Sequence, residues 1–165
     1  VGWVSRTEFG GIRAWSLTEA GRAENERRLA AELDTFGGRE VATRAHDAFA
    51  ALNGPFLQAV TDWQLRPLPG AMLTSNDHTD FRWDDRVIDR LAATGRRLQL
   101  VCGELSGVLT RFDGYDDRFD TAIQRVLAGQ RRWVDAIDVD SCHTVWMQLH
   151  EDLLATLGLQ RGHDR

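Results

Sequence analysis

The sequence contains no lysine: each of its 20 basic residues is an arginine. No fold or site requires that, and it reads as the coding bias of a GC-rich genome. Cysteine is almost as scarce. Cys102 and Cys142 are too few and too far apart for a disulfide scaffold, and each sits in an apolar helical context, so two buried, reduced thiols are expected. No apolar run approaches the roughly 20 residues of a membrane span, and no export signal opens the chain, so a cytoplasmic protein without a membrane partner is expected. Position 1 is valine rather than methionine, which reads as a trimmed or partial chain. Internal repeats and low-complexity segments are missing. So are a glycine-rich phosphate loop, a nucleophile elbow and a Cys–His pair of useful spacing. His150-Glu151-Asp152 lacks the second histidine of a zinc-protease helix. Neither an enzyme nor a bound cofactor is expected.

What is present suits one moderate soluble domain, or a domain with a fragment of another: 165 residues, 42% hydrophobic and 27% charged. The net charge of −5 is uneven. Arginines and acids balance over residues 1–45, and the whole deficit falls on residues 46–165. The body is therefore a poor platform for nucleic acid, and any DNA contact belongs to the N-terminal end.

Residues 2–9 alternate as a strand, Gly10-Gly11 marks a turn, and Ile12 to Leu17 reads as the returning strand. Thr18 is placed to cap a helix carrying Leu29, Leu33 and Phe36, with Glu24 one turn from Arg28. Gly37-Gly38 ends it. A second helix is expected from about Arg39 to Asn53, and Gly54-Pro55 then opens a third with Phe56, Leu57, Val60 and Trp63. The stretch RPLPGAMLTSNDHTDFR, with two of the three prolines, reads as the one long loop. From Trp83 to Phe112 apolar residues keep helical spacing, with Gly95 as a point of close packing or a break. A helix over Phe119–Leu127, a short apolar segment at Trp133–Ile137 and a last helix from Ser141 to Gly158 complete the chain. The fold class expected is mostly α, an N-terminal β-hairpin followed by a bundle of about six helices.

Strand, glycine tip, strand ending in WSLTEAGR, then a long amphipathic helix resembles the wing and following helix of winged helix-turn-helix transcriptional regulators. The likeness is to MarR-like proteins, through Trp15, Leu17, Thr18, Gly21 and Arg22, and it covers about residues 1–35. Leu17 is expected to face the small core, Thr18 to cap, and Gly21 to permit close approach. The resemblance implies that wing arginines, here Arg6 and Arg13, touch DNA. It also implies that the recognition helix precedes Val1, so that this chain alone does not read DNA sequence. Residues 1–35 are then the remnant of the DNA-binding domain, and 36–165 a helical domain for dimerisation and effector binding. A weaker likeness, through NDHTD and DSCHTVWMQLHEDLLATLG, is to a helical region of actinobacterial regulators that is also found beside pyruvate phosphate dikinase-like enzymes. An accessory domain of such an enzyme is the competing reading.

Two stretches carry chemistry. SNDHTD places Asn76, Asp77, His78 and Asp80 together, and the last helix carries His143, Trp146 and His150 on one stripe. With Trp63 these outline a pocket for a small effector, in which Asp62, Asp77 or Asp80 holds a histidine in one tautomer. The alternative is that they are satisfied core residues bridging helices. Metal binding is a further option, although His143 and His150 stand about 10 Å apart along a helix and do not share one ion. Asp80 has a competing task as a helix cap. Asp84-Asp85 and Asp116-Asp117 read as helix-start carboxylates, and His46 as part of a solvated face. The partners expected are DNA through an intact winged-helix domain, a small-molecule effector, and a second copy of the chain.

Overall fold

The computed structural model describes residues 2–9, 12–67 and 73–159, without the side chains of residues 9, 12 and 13. The Gly10-Gly11 turn, the Leu68–Met72 part of the long loop and His163 lie outside the described residues. β1 (Val4–Phe9) and β2 (Ile12–Leu17) pair antiparallel, with Val4 opposite Leu17 and Arg6 opposite Trp15. Helices α1 (Glu19–Phe36), α2 (Arg39–Gln64), α3 (Phe81–Ser106), α4 (Tyr115–Leu127) and α5 (Cys142–Leu157) follow. Between α2 and α3, β3 (Leu65–Arg66) and β4 (Thr74–Ser75) form a minimal ladder, and 3₁₀ turns lie at Thr110–Phe112 and Arg131–Trp133.

The caps follow the sequence. Thr18 accepts from the Gly21 amide, Asp80 from Trp83 and Ser141 from Thr144, each satisfying a donor that the helix itself leaves open. Gly37 and Gly158 close α1 and α5 in the left-handed region, at φ of 62° and 68°. Gly95 makes no break in α3. A Cβ there would stand 3.1 Å from the Phe119 ring, so the missing side chain sets how closely α4 approaches α3.

The helix count differs from expectation: the described residues contain five α-helices rather than about six, because α2 runs unbroken through Pro55. Proline lacks the N–H that the Ala51 carbonyl would accept. Ala51, Gly54 and Pro55 are all exposed, so water can serve that carbonyl, while Leu52, Phe56 and Ala59 hold the other face in the core.

The core lies between α2, α3, α4 and α5, around Phe49, Phe56, Leu91, Leu98, Phe119, Trp146 and Leu149. Burying aliphatic and aromatic side chains this completely contributes about 1.5–3 kcal/mol each. Helix α1 sits at its edge against α5. There Leu33 is buried but Phe36 is 63% exposed, so the expected stripe on α1 is only partly used. His46, expected on a solvated face, is buried on α2.

Candidate ligand-binding sites

The connection between α2 and α3 gathers the first polar group. Trp63 lies in the last turn of α2, and the Asn76 amide donates to the Gln64 carbonyl (2.8 Å), which brings the loop back over that turn. Asn76 Nδ2 donates to the Trp63 carbonyl (3.0 Å) and to Asp84 Oδ1 (2.8 Å), while its Oδ1 accepts from the His78 amide (3.1 Å). Both amide hydrogens are thereby used. Asp84 is 4% exposed and lies 3.0 Å from His78 Nδ1 through Oδ2. With both Asn76 hydrogens used and Asp84 accepting, the proton in that contact belongs to His78 Nδ1. The His78 ring tilts against Trp63 with centroids 4.3 Å apart. Its backbone takes φ 57°, the one left-handed non-glycine residue among those described.

The carboxylate that holds His78 is therefore Asp84, not Asp62, Asp77 or Asp80. Asp62 pairs with Arg90 (2.6 Å), and its carbonyl accepts from Trp83 Nε1 (2.6 Å). Asp77 accepts from the Thr79 hydroxyl and amide and pairs with Arg66 (3.1 Å); the Thr79 bonds first, and Arg66 after them, hold its carboxyl below the ordinary aspartate value. Asp80 caps α3. In sequence Asp84 looks like any first-turn carboxylate. Only the return of Asn76 to the end of α2 gives it a second task.

The second group lies on α5. Trp146 is fully buried between Phe49 (4.4 Å) and Phe56 (4.2 Å), and its Nε1 donates to Asn53 Oδ1 (3.0 Å). His150 stacks on Phe49 (5.6 Å) and His143 on Phe56 (6.5 Å). This stripe is packed on α2. Phe56 and Trp63 are separated along α2 by about 10 Å of helix rise, so the residues grouped by sequence form two neighbourhoods and not one pocket. Trp146 stands in the core. Among the described residues no three His, Cys, Asp or Glu side chains are gathered to hold a metal ion.

An open groove of about 780 Å³ lies elsewhere, where the end of β2 and the first turns of α1 diverge from α5. Its α1 wall includes Arg22, Asn25 and Glu26, its α5 wall Met147, Glu151 and Ala155. Of the stripe on α5, His143 borders it, and so do Met147 and Leu154, which sequence spacing sets alongside that stripe. Where α1 and α5 meet, Arg111 joins Glu32 (2.9 Å) to Asp152 (3.2 Å) and Thr156, and Tyr115 donates to the other Asp152 oxygen (2.8 Å). Burial, and then the Asp152 carboxylate, push the Tyr115 phenol above its ordinary value, so it stays a donor. The sequence signal for this groove was a mixed polar and apolar face on both helices, which reads as ordinary surface until the two faces are seen opposed.

The hairpin stands apart from both groups. Gly21 is what seats it, since a Cβ there would lie 1.9 Å from the Trp3 carbonyl oxygen. The Thr18 hydroxyl donates to the Gly2 carbonyl (2.9 Å), the Thr18 amide to Trp3, and the Arg28 guanidinium covers the Trp3 ring at 4.8 Å. Beyond this joint Val4, Arg6 and Trp15 are exposed, and Arg6 lies 6.0 Å from the Trp15 ring centroid. Leu17, expected to face a small core, is 40% exposed and borders the groove. Arg13 has its backbone in β2, and its side chain lies outside the described residues. No described helix is long and apolar enough to cross a membrane. Comparison of the chain with protein families, with curated proteins and with solved structures gives no match.

Proposed function

We propose that the chain is the C-terminal part of a winged-helix transcriptional regulator, cytoplasmic and dimeric, with the hairpin as its wing and the helical body as its effector-binding and dimerisation domain. The observation that carries this reading is the joint at Gly21. A two-stranded hairpin is marginal in water by itself. Among the described residues this one is seated on the start of α1 through Thr18, Gly21 and Arg28, with an arginine and a tryptophan on its exposed face. A projecting hairpin with an exposed arginine is what backbone or minor-groove contact to DNA requires. The reading needs a recognition helix ahead of Val1, because a wing supplies affinity but little sequence discrimination.

The α1/α5 groove supports an effector role for the body. Its volume lies within the range of small-molecule sites, and it touches β2, α1 and α5 at once. A ligand that prefers one separation of α1 and α5 then biases where the hairpin points, and DNA affinity changes by that differential binding energy.

The test is a fluorescence-anisotropy titration of duplex DNA with the protein extended in frame ahead of Val1. Arg6→Ala is expected to weaken binding about equally on all sequences and to lower the slope of log affinity against log salt by about 1. An unchanged affinity and slope would remove the wing from the DNA interface.

A further inference from the structure

We infer that the outer face of α3 is a dimer seam, on which a second copy of the chain packs its own α3 antiparallel about Ala93; this deepens, and rests on, the reading of the helical body as a dimerisation domain. Arg82, Arg86, Asp89, Arg97, Leu100 and Glu104 recur, with Ala93 at the centre, at spacings of three and four, so they form one stripe along about 33 Å of helix. All are exposed, and the stripe lies opposite the buried Leu91, Leu98 and Leu105.

Two features of the stripe select a copy of the same chain. The first is unspent charge. On α1 and α2 exposed charges pair within their own helix, Glu24 with Arg27 and Arg28, and Glu40 with Arg44. Among the described arginines, Arg82, Arg96 and Arg97 alone make no ion pair, hydrogen bond or ring contact, and all three are on α3. Asp89 and Glu104 have no such partner among the described residues either. For Arg97 and Glu104 the helix itself offers none, since no opposite charge stands three or four residues away from them.

The second is symmetry. A two-fold interface brings one residue onto another and, by the same operation, the second onto the first. Counted from Ala93, Asp89 and Arg97 lie four residues to either side, and Arg82 and Glu104 eleven. An antiparallel copy therefore sets each carboxylate against an arginine, and does so twice over, with Arg96 next to the same Asp89. Arg86 and Leu100 lie seven residues to either side, so the arginine's stem covers a leucine that is 72% exposed in the single chain. Ala93 meets its own copy and lets the two helices approach closely. No like charges meet among these pairs. Nucleic acid, which asks for one sign of charge, does not match this alternation. One helix face falls short of the roughly 800 Å² per partner of a standard interface, so association is expected in the micromolar range and to weaken with salt.

Sedimentation equilibrium of the intact chain, without DNA, tests the seam. The wild-type chain is expected to dimerise at micromolar concentration in low salt, and about tenfold more weakly in about 0.5 M salt. Asp89→Arg sets arginine against arginine and is expected to weaken self-association about tenfold, with the helical circular dichroism retained. Arg97→Asp sets aspartate against aspartate and is expected to weaken it about threefold, since Arg96 remains. Mixed one to one, the two variants regain opposite charges at both ends of the seam and should associate more tightly than either does with itself. Single variants that dimerise like the wild type, or a mixture no tighter than its components, would overturn the seam while the dimeric reading stands on the wild type. A wild type that stays monomeric at every concentration would overturn the seam and the dimerisation domain together. Because DNA is absent, the seam is judged separately from the wing: the expected pattern in a protein whose Arg6→Ala variant keeps its DNA affinity would uphold the seam and remove the wing.

Discussion

The His78 cluster and the α1/α5 groove are both polar neighbourhoods at the ends of helices, but they are built in opposite ways. Around His78 the side chains close on one another: Asn76 spends both amide hydrogens, Asp84 accepts from Asn76 and His78, and Trp63 packs on the ring. At the groove, carboxylates, an arginine and apolar side chains line open space. A sequence shows the first more readily, since histidine and aspartate close together look like chemistry. The second is assembled from unremarkable surface residues on helices far apart in the chain. Density of reactive residue types marks where polar groups are gathered, and unfilled volume marks where a ligand can go.

Substitutions can break this contrast. The largest effect is expected in the core stripe that sequence had grouped with a pocket. Trp146→Ala should cost about 3–5 kcal/mol in urea unfolding, because it empties the space between Phe49 and Phe56 and strips Asn53 of its donor. A cost below about 1 kcal/mol would return Trp146 to a ligand-facing role. Next comes Asp84→Ala, expected to cost about 1–3 kcal/mol in urea unfolding by leaving Asn76 and His78 without their acceptor. An unchanged urea midpoint would contradict a structural role for that carboxylate. Gly21→Ala should act locally. The hairpin's amides should lose hydrogen-exchange protection while those of α3 keep theirs, since the added Cβ overlaps the Trp3 backbone that seats the hairpin.

The thiols act only at alkaline pH and leave stability at neutral pH untouched. Burial pushes both Cys102 and Cys142 up to about 12 from an ordinary value of 9.0. The unfolded chain therefore releases these protons at lower pH than the folded one. Stability should be unaffected by them below about pH 9 and fall between about pH 9 and 12. Alanine variants with a flatter alkaline profile would confirm the assignment, and an unchanged profile would contradict it.

How much of this could be read from sequence depended on the range of the interaction. Caps at Thr18, Asp80 and Ser141, the stops at Gly37 and Gly158 and the Glu24–Arg28 pair are set within four residues, and each was legible. The close approach at Gly21 was legible too, through the motif that contains it. Pro55 misled because local propensity favours a break there, and only the core packing of Leu52, Phe56 and Ala59 keeps α2 whole. His46 misled through its neighbour Asp47, which says nothing of the opposite face of α2. The groove was illegible, since it depends on how far α1 leans from α5 beyond the Arg111 bridge.

The central claim, that the hairpin is a wing, is tested most directly by reading the coding sequence in frame upstream of Val1. The account predicts two or three amphipathic helices there with helix-turn-helix spacing, the last of them able to enter a major groove. A start codon at Val1, or a long catalytic domain running into it, would contradict the claim and leave the hairpin as a cover for α1.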